Sequence, residues 1–145
     1  MSRLIAIDPG HKKCGLLLAD LDLEVVLDGR VVDHAAVISL IINWKSQGDL
    51  DGILLGNGTS SKYWLRVLKD LAPVEIVEER GTTLRARERY WQLWPPGFWM
   101  SWLPRGLMIP STHLDAVAAL VLLEDHLGKK LRWSGSKNFR IWPEQ

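Results

Sequence analysis

The sequence predicts an α/β domain in which a mixed sheet carries helices on both faces. Two short apolar runs near the N-terminus are separated by a Pro-Gly turn, which predicts an antiparallel hairpin. Later apolar runs alternate with segments of helical periodicity, which predicts parallel strands joined by helical crossovers. With 145 residues, of which 47% are hydrophobic and 24% charged, the chain is expected to form one domain.

The hairpin begins with an apolar run over residues 4–7 that ends at Asp8. Pro9 has no N–H for the strand ladder and Gly10 tolerates a positive φ, so the strand is expected to stop there. A second strand is predicted over residues 14–19. A third is predicted over residues 23–27 and 30–33, with Asp28-Gly29 forming a turn or a bulge between the two parts.

The rest of the chain alternates between helical and strand patterns. Helices are predicted over residues 34–46 with Asp33 as the cap, over 61–71, from Thr82 or Thr83 to about Trp91, and from Ser111 or Thr112 to the stop at Gly128. Buried strands are predicted over residues 52–56 and 74–77. The helical spacing and the short apolar runs together predict strands that are parallel to the first.

Residues 91–110 form an aromatic segment interrupted by prolines and glycines, and no regular element is predicted there. The tryptophans of 91–102 are expected to pack in the interior or in a homodimer interface, with stacking on unpaired bases as the alternative. We therefore expect a domain over residues 1–128 that includes this loop, and a basic tail over residues 129–145.

Composition excludes several classes of protein. The chain has no run of 18 uncharged apolar residues, so no membrane span is predicted. The N-terminus lacks a signal-peptide pattern. A single cysteine, Cys14, excludes an internal disulfide and is typical of a cytoplasmic protein. Because the formal net charge is +1, any nucleic-acid partner must be held by local basic patches rather than by global charge.

Three acidic residues share one predicted location. Asp8 ends the first strand, Glu79 follows the strand over 74–77, and Asp115 lies in the first turn of the last helix. The carboxyl ends of parallel neighbours meet at one sheet edge, where gathered carboxylates would bind Mg²⁺ or Mn²⁺. Each residue also has an ordinary explanation: Asp8 as a turn residue, Glu79 as an exposed loop residue, and Asp115 as a favourable charge at a helix N-terminus.

Four segments resemble the RuvC-like Holliday junction resolvases, and most of all their YqgF-type branch, described as Holliday junction resolvases and pre-16S rRNA nucleases. They are Ile7-Asp8-Pro9-Gly10 with Gly15, residues 56–59, Glu78-Glu79-Arg80-Gly81-Thr82-Thr83, and residues 114–119. They occur in the family's order across about residues 3–127. The resemblance implies an RNase H-like fold, with Asp8, Glu79 and Asp115 as the catalytic and metal-binding acidic residues.

The chain differs from this family at two places. Glu78 stands where the branch usually has Asp, so either Glu78 or Glu79 could face the metal, and strand alternation favours Glu79. The long aromatic segment stands where the family usually has a short basic loop, which leaves the substrate class and the activity open.

Basic and hydroxyl side chains near these carboxylates are candidates for nucleic-acid binding. They are Lys12, Lys13, Arg80, Arg85 and Thr59. The alternative for Arg85 is a place on a solvated helix face, and the alternative for Thr59 is helix capping.

We therefore expect a metal-dependent endonuclease that hydrolyses phosphodiester bonds in a Holliday junction or in pre-ribosomal RNA, with Mg²⁺ or Mn²⁺ as cofactor. A homodimer would suit a two-fold junction. The alternatives are a catalytically inactive nucleic-acid or protein-binding module and, with less support because the chain is short, an ATP-binding fold of the sugar-kinase or actin type.

Overall fold

The computed structural model contains one six-stranded mixed sheet with helices on both faces. It describes residues 2–58, 60–79, 81–95, 114–133 and 141–142. The strands are β1 (Arg3–Pro9), β2 (Lys13–Asp20), β3 (Val25–Asp33), β4 (Gly52–Gly56), β5 (Val74–Val77) and β6 (Ile141–Trp142), and the helices are α1 (Val37–Ser46), α2 (Ser61–Leu68), α3 (Thr82–Leu93) and α4 (Asp115–Leu127). The strand order is β5-β4-β1-β2-β3-β6.

The pairing of the strands confirms the predicted α/β class. Strand β1 is antiparallel to β2, which is antiparallel to β3. Strands β4 and β5 extend the sheet in parallel on the other side of β1. The carboxyl ends of β1, β4 and β5 consequently lie at the same edge of the sheet.

The two faces of the sheet have separate cores because side chains alternate along each strand. On one face, α1 and α2 cover Ile5, Ile7, Leu16, Leu18, Ile53 and Leu55 through Leu40, Ile41, Trp44, Trp64 and Leu68. On the other, α4 covers Ala6, Leu17, Ala19 and Leu54 through Ala119, Leu120 and Leu123. Alanines on both sides of the second interface let the backbone of α4 approach the sheet closely.

The helix starts and ends differ from the predictions at several points. A 3₁₀ turn, His34–Ala36, precedes α1, and Asp33 stands at the N-cap position of this turn, as predicted, but its side chain makes no capping hydrogen bond in the described structure. Helix α2 ends at Leu68 instead of continuing to residue 71. Helix α3 continues to Leu93, so the start of the aromatic segment is helical and not irregular.

Strand β3 is continuous and its irregularity is a bulge. The register moves from Leu18 opposite Asp28 to Ala19 opposite Val26, which leaves Leu27 as the extra residue. Of the two predicted possibilities, a turn or a bulge, the bulge is therefore the one observed, and it lies one residue before Asp28. Gly29 instead accommodates the ring of Trp133, since a Cβ at this position would lie 2.5 Å from two of its carbon atoms.

The C-terminal residues were expected to be a polar tail, and part of them joins the domain. Strand β6 pairs in parallel with β3, and Val25 forms an isolated bridge with Arg132. Helix α4 ends at Gly128, which adopts a left-handed conformation, as predicted. The predicted caps Ser111 and Thr112, and residues 96–110 of the aromatic segment, lie outside the described residues.

Cys14, the single cysteine, is fully buried in β2, and burial raises the pKa of its thiol to about 12. Within the described residues, no helix is both long and apolar enough to cross a bilayer.

Candidate active site

Strand register places Asp8 next to the ends of two parallel strands. Ile7 of β1 pairs with Leu55 of β4, so Asp8 lies level with the next residue, Gly56. Gly56 in turn pairs with the last residue of β5. Asp8 and the segment after β5 are therefore separated by one strand, or about 10 Å of sheet.

The side chain of Glu79 crosses this gap over Gly56. A Cβ at Gly56 would overlap Glu79 Oε1, and it would also lie 3.1 Å from Leu122 Cδ1. The absence of a side chain at the end of β4 consequently provides the space in which Glu79 reaches Asp8. Glu78, by contrast, is exposed, so Glu79 is the residue that meets Asp8.

The environment of Asp8 strongly disfavours its charged form. The pKa of Asp8 is raised from 3.8 to about 8, and burial is the largest cause. A hydrogen bond with the Glu79 side chain, the negative charge of Glu79 and that of Asp115 are the other causes of this rise. Asp8 is therefore mostly protonated at pH 7 in the absence of a cation.

Asp115 approaches this edge from the first turn of α4. Its backbone lies directly on Gly15, where an added Cβ would overlap the Asp115 carbonyl oxygen and lie 2.7 Å from Ala116 N. Gly15 is the residue of β2 that pairs with Asp8. A glycine opposite Asp8 thus lets the start of α4 rest on the sheet beside the two other carboxylates.

The carboxylates are suited to a divalent cation, although the three do not surround one point. Glu79 Oε1 is buried and has no hydrogen-bond partner among the described residues, so it is an oxygen donor available to a ligand. A cation would also offset the repulsion that raises the pKa of Asp8. Within the described part of the chain, no three His, Cys, Asp or Glu side chains converge as a metal site. Asp8 and Glu79 therefore fit as a ligand pair, with Asp115 as the nearby third candidate.

The basic candidates lie in two different places. Lys12 belongs to the turn that follows β1, and Lys13 is the first residue of β2. Arg85 instead donates to Asp125 Oδ2 at 2.7 Å. Because Asp125 is ten residues beyond Asp115 on α4, this guanidinium lies about 15 Å along the helix from the carboxylates. Thr59 and Arg80, the two remaining candidates, lie outside the described residues.

A buried ion pair fixes α3 against α4. The guanidinium of Arg89 donates from Nε and Nη2 to the two carboxylate oxygens of Glu124, each at 2.9 Å. The backbone N–H of Leu131 donates to Glu124 Oε2 at 2.8 Å. This network holds the helix that carries Asp115, and it joins the segment after α4 to the same helix pair.

Aromatic packing accounts for the first tryptophans of the aromatic segment. Trp91 is buried with Tyr90 against α4, and Trp94 contacts Trp133 at a ring-centroid distance of 5.3 Å. The expected interior packing is therefore observed for Trp91. A dimer contact through residues 91–102 stays a prediction, and residues 96–102 of this segment lie outside the described structure.

Comparison with known proteins identifies the fold. No family model matches the sequence, and no curated protein matches it either. Among solved structures, the chain is similar to the one described as T. thermophilus RuvC in complex with Holliday junction substrate, with a TM-score of 0.51 and 15% sequence identity. The match covers 90% of this chain and 99% of the RuvC chain. The fold is RNase H-like, as in RuvC. The predicted fold is thereby confirmed, whereas the YqgF-type branch stays a prediction.

Sequence reasoning did not find the role of two glycines at this RuvC-like sheet edge. Gly15 and Gly56 were noted as parts of the matching segments, without a physical reason. The structure supplies the reason, because one accommodates the backbone of α4 and the other the carboxylate of Glu79. Their signal in the sequence is a glycine within or at the end of a buried strand, which often marks a close approach.

Proposed function

We propose that the protein is a metal-dependent endonuclease that hydrolyses phosphodiester bonds in structured nucleic acid. The observation that supports this most is the contact between Asp8 and Glu79, in which burial and like charge hold the pKa of Asp8 at about 8. A carboxyl pair of this kind at the carboxyl edge of a sheet is typical of a functional site. The RuvC-like fold supports the same reading.

The chain's own carboxylates would hold Mg²⁺ or Mn²⁺. Asp8 and Glu79 would provide the oxygen ligands, and Asp115 the third. When bound, such an ion neutralises charge on the phosphodiester and lowers the pKa of a coordinated water. Asp8 must release its proton before it can act as a ligand, so binding is coupled to the loss of a proton near neutral pH. Lys12 in the adjoining turn and Lys13 at the start of β2 would neutralise phosphates on either side of the bond that is cut.

We infer a substrate of either junction DNA or ribosomal precursor RNA. The RuvC structure holds a Holliday junction substrate, which supports the first. The segments around Asp8, Glu79 and Asp115 resemble the YqgF-type branch, which supports the second. We assign the activity to residues 1–128, while residues 129–145 supply β6 and part of the packing around β3.

A cleavage screen with matched variants tests the proposal. Four-way junctions, flaps and pre-ribosomal RNA are incubated with Mn²⁺ and with the wild type, Glu79→Gln or Glu78→Gln. Glu79→Gln should abolish cleavage, since it removes one ligand charge and the contact with Asp8. Glu78→Gln should retain it, because Glu78 is exposed. Equal effects of the two substitutions would contradict the assignment of Glu79.

A non-catalytic binding module is the second candidate. It is favoured by the absence of a converged three-ligand cluster among the described residues. Titration calorimetry with Mn²⁺ separates the two candidates. The nuclease proposal predicts binding at millimolar concentration or tighter, with release of a proton at pH 7, whereas the module predicts no binding heat.

A further inference from the structure

A small concave surface lies beside the end of β1 and begins one residue after Asp8. It encloses about 170 Å³ and is lined by Pro9, Gly10, His11, His34 and Ser60. Pro9 ends β1, and Gly10 and His11 belong to the turn after it. His34 begins the 3₁₀ turn after β3, and Ser60 precedes α2. We call this surface the histidine pocket. It is separate from the groove between α3 and α4 in which Arg85 lies.

The walls of the histidine pocket are fixed by contacts within the chain. The turn is closed by the N–H of Gly10, which donates to Lys13 O at 3.0 Å, while the N–H of His34 donates to Lys12 O at 3.4 Å. The His34 ring binds the Gly10 carbonyl through Nε2 at 2.7 Å. The same ring contacts Trp64 of α2 edge-to-face, at a centroid distance of 5.3 Å. A ligand would therefore meet a preformed surface.

The chemistry of the walls favours an anion. Among the described residues that line the pocket, none is acidic, and the polar groups are two imidazoles and a hydroxyl. The Ser60 hydroxyl makes no capping hydrogen bond to α2 in the described structure. Lys12 lies in the same turn and Lys13 begins β2, and neither takes part in the ion pairs formed by the described residues. The His34 ring already donates from Nε2 to the Gly10 carbonyl, so the donors left for a ligand are the His11 imidazole and the Ser60 hydroxyl. Beside the Lys12 and Lys13 ammonium groups, these donors are suited to phosphate oxygens.

We infer that the histidine pocket binds a phosphate group of the nucleic-acid backbone at the sheet edge that carries Asp8 and Glu79. This inference rests on the proposed function, because the pocket and the carboxylate pair share this edge: Asp8 lies on the α4 face of the sheet, and the pocket lies on the other face beside Trp64. A free phosphate presents the same oxygens, so it is the alternative source of the ligand. The pocket would position the strand by its backbone and would read no base sequence.

Substitutions of Ser60 test the inference without altering the candidate active site. Ser60→Asp places a negative charge in the pocket, whereas Ser60→Asn has nearly the same size without the charge. Aspartate and asparagine are both favourable residues before a helix, so each variant should fold. Asn43→Asp, on the exposed side of α1, controls for the change in net charge.

The first measurement is the affinity for a fluorescent four-way junction, by anisotropy in EDTA. Because the carboxylate introduced by Ser60→Asp would repel a phosphate bound in the pocket, we expect this variant to bind the junction about tenfold more weakly than the wild type. Ser60→Asn and Asn43→Asp should bind within about twofold of the wild type, since a distant exposed charge is largely screened. Equal affinities of the two Ser60 variants, or equal losses from Ser60→Asp and Asn43→Asp, would overturn the inference.

The second measurement identifies the source of the phosphate. The imidazole NMR signals of His11 and His34 are followed during titration with inorganic phosphate and, separately, with a dinucleoside monophosphate. We expect both ligands to shift these signals in the wild type and neither to do so in Ser60→Asp. Shifts with inorganic phosphate alone, or with neither ligand, would overturn the assignment to the backbone. Neither measurement requires cleavage, so a failure of the nuclease proposal would be seen separately in the cleavage screen.

Discussion

Asp8→Asn is expected to remove a pH-dependent loss of stability from the metal-free protein. The folded protein holds a proton on Asp8 up to about pH 8, whereas the unfolded chain releases it near the ordinary value of 3.8. Because the folded state then binds more protons, the free energy of unfolding falls as the pH rises through this window. The loss levels off above the folded pKa. Asparagine cannot ionise, so the variant lacks this contribution.

The size of the effect follows from the two pKa values. One proton contributes at most about 1.4 kcal/mol per pH unit, so the wild type should lose about 2 kcal/mol between pH 6 and pH 8 relative to Asp8→Asn. This corresponds to about 1 M in the midpoint of urea denaturation. The assay is urea unfolding in EDTA at pH 6, 7 and 8.

A surface variant provides the control for this prediction. Asp33→Asn changes an exposed carboxyl at the end of β3 and should leave the wild-type pH profile unchanged. Profiles of the wild type and Asp8→Asn that run parallel within about 0.5 kcal/mol would refute the reasoning, since the pKa of Asp8 would then not be raised in the folded state.

Two further predictions concern packing around the site. Gly56→Ala should displace the Glu79 carboxylate, because the added Cβ would overlap Glu79 Oε1. We expect this variant to lose cleavage and about 1–3 kcal/mol of its free energy of unfolding. Normal cleavage would show that Glu79 does not cross this strand. Glu124→Gln should cost about 3 kcal/mol in urea unfolding, because it breaks a buried pair whose side chains are 12% and 9% exposed. Asp125→Asn, which disrupts a pair that is 45% and 47% exposed, should cost less than about 1 kcal/mol, and equal losses would contradict the comparison.

The strands and helices could be predicted because local pattern determined them. The apolar run over residues 52–56 is wholly buried in β4, as its composition indicated. The end of α4 followed from Gly128, which adopts the left-handed conformation that glycine favours. The start of α1 was predicted less well, because the segment that Asp33 precedes begins as a 3₁₀ turn and becomes α-helical only at Val37.

Features that depend on distant partners could not be read from the sequence. Strand β6 has two residues, and it forms because β3 offers an edge for parallel pairing. The strand-end position of Asp8 was visible in the sequence, but its raised pKa depends on Glu79 and on burial. The histidine pocket depends on His34, which comes to the turn after β1 from the end of another strand.

The measurement that tests the central claim most directly is Mn²⁺-dependent cleavage of a four-way junction by the wild type and by Asp8→Asn. Junction affinity in EDTA is measured beside it as the control for folding and binding. We predict that the wild type cleaves, and that Asp8→Asn binds the junction with similar affinity but does not cleave it. Metal-dependent cleavage by Asp8→Asn at the wild-type rate would contradict the assignment of this carboxylate pair as the active site.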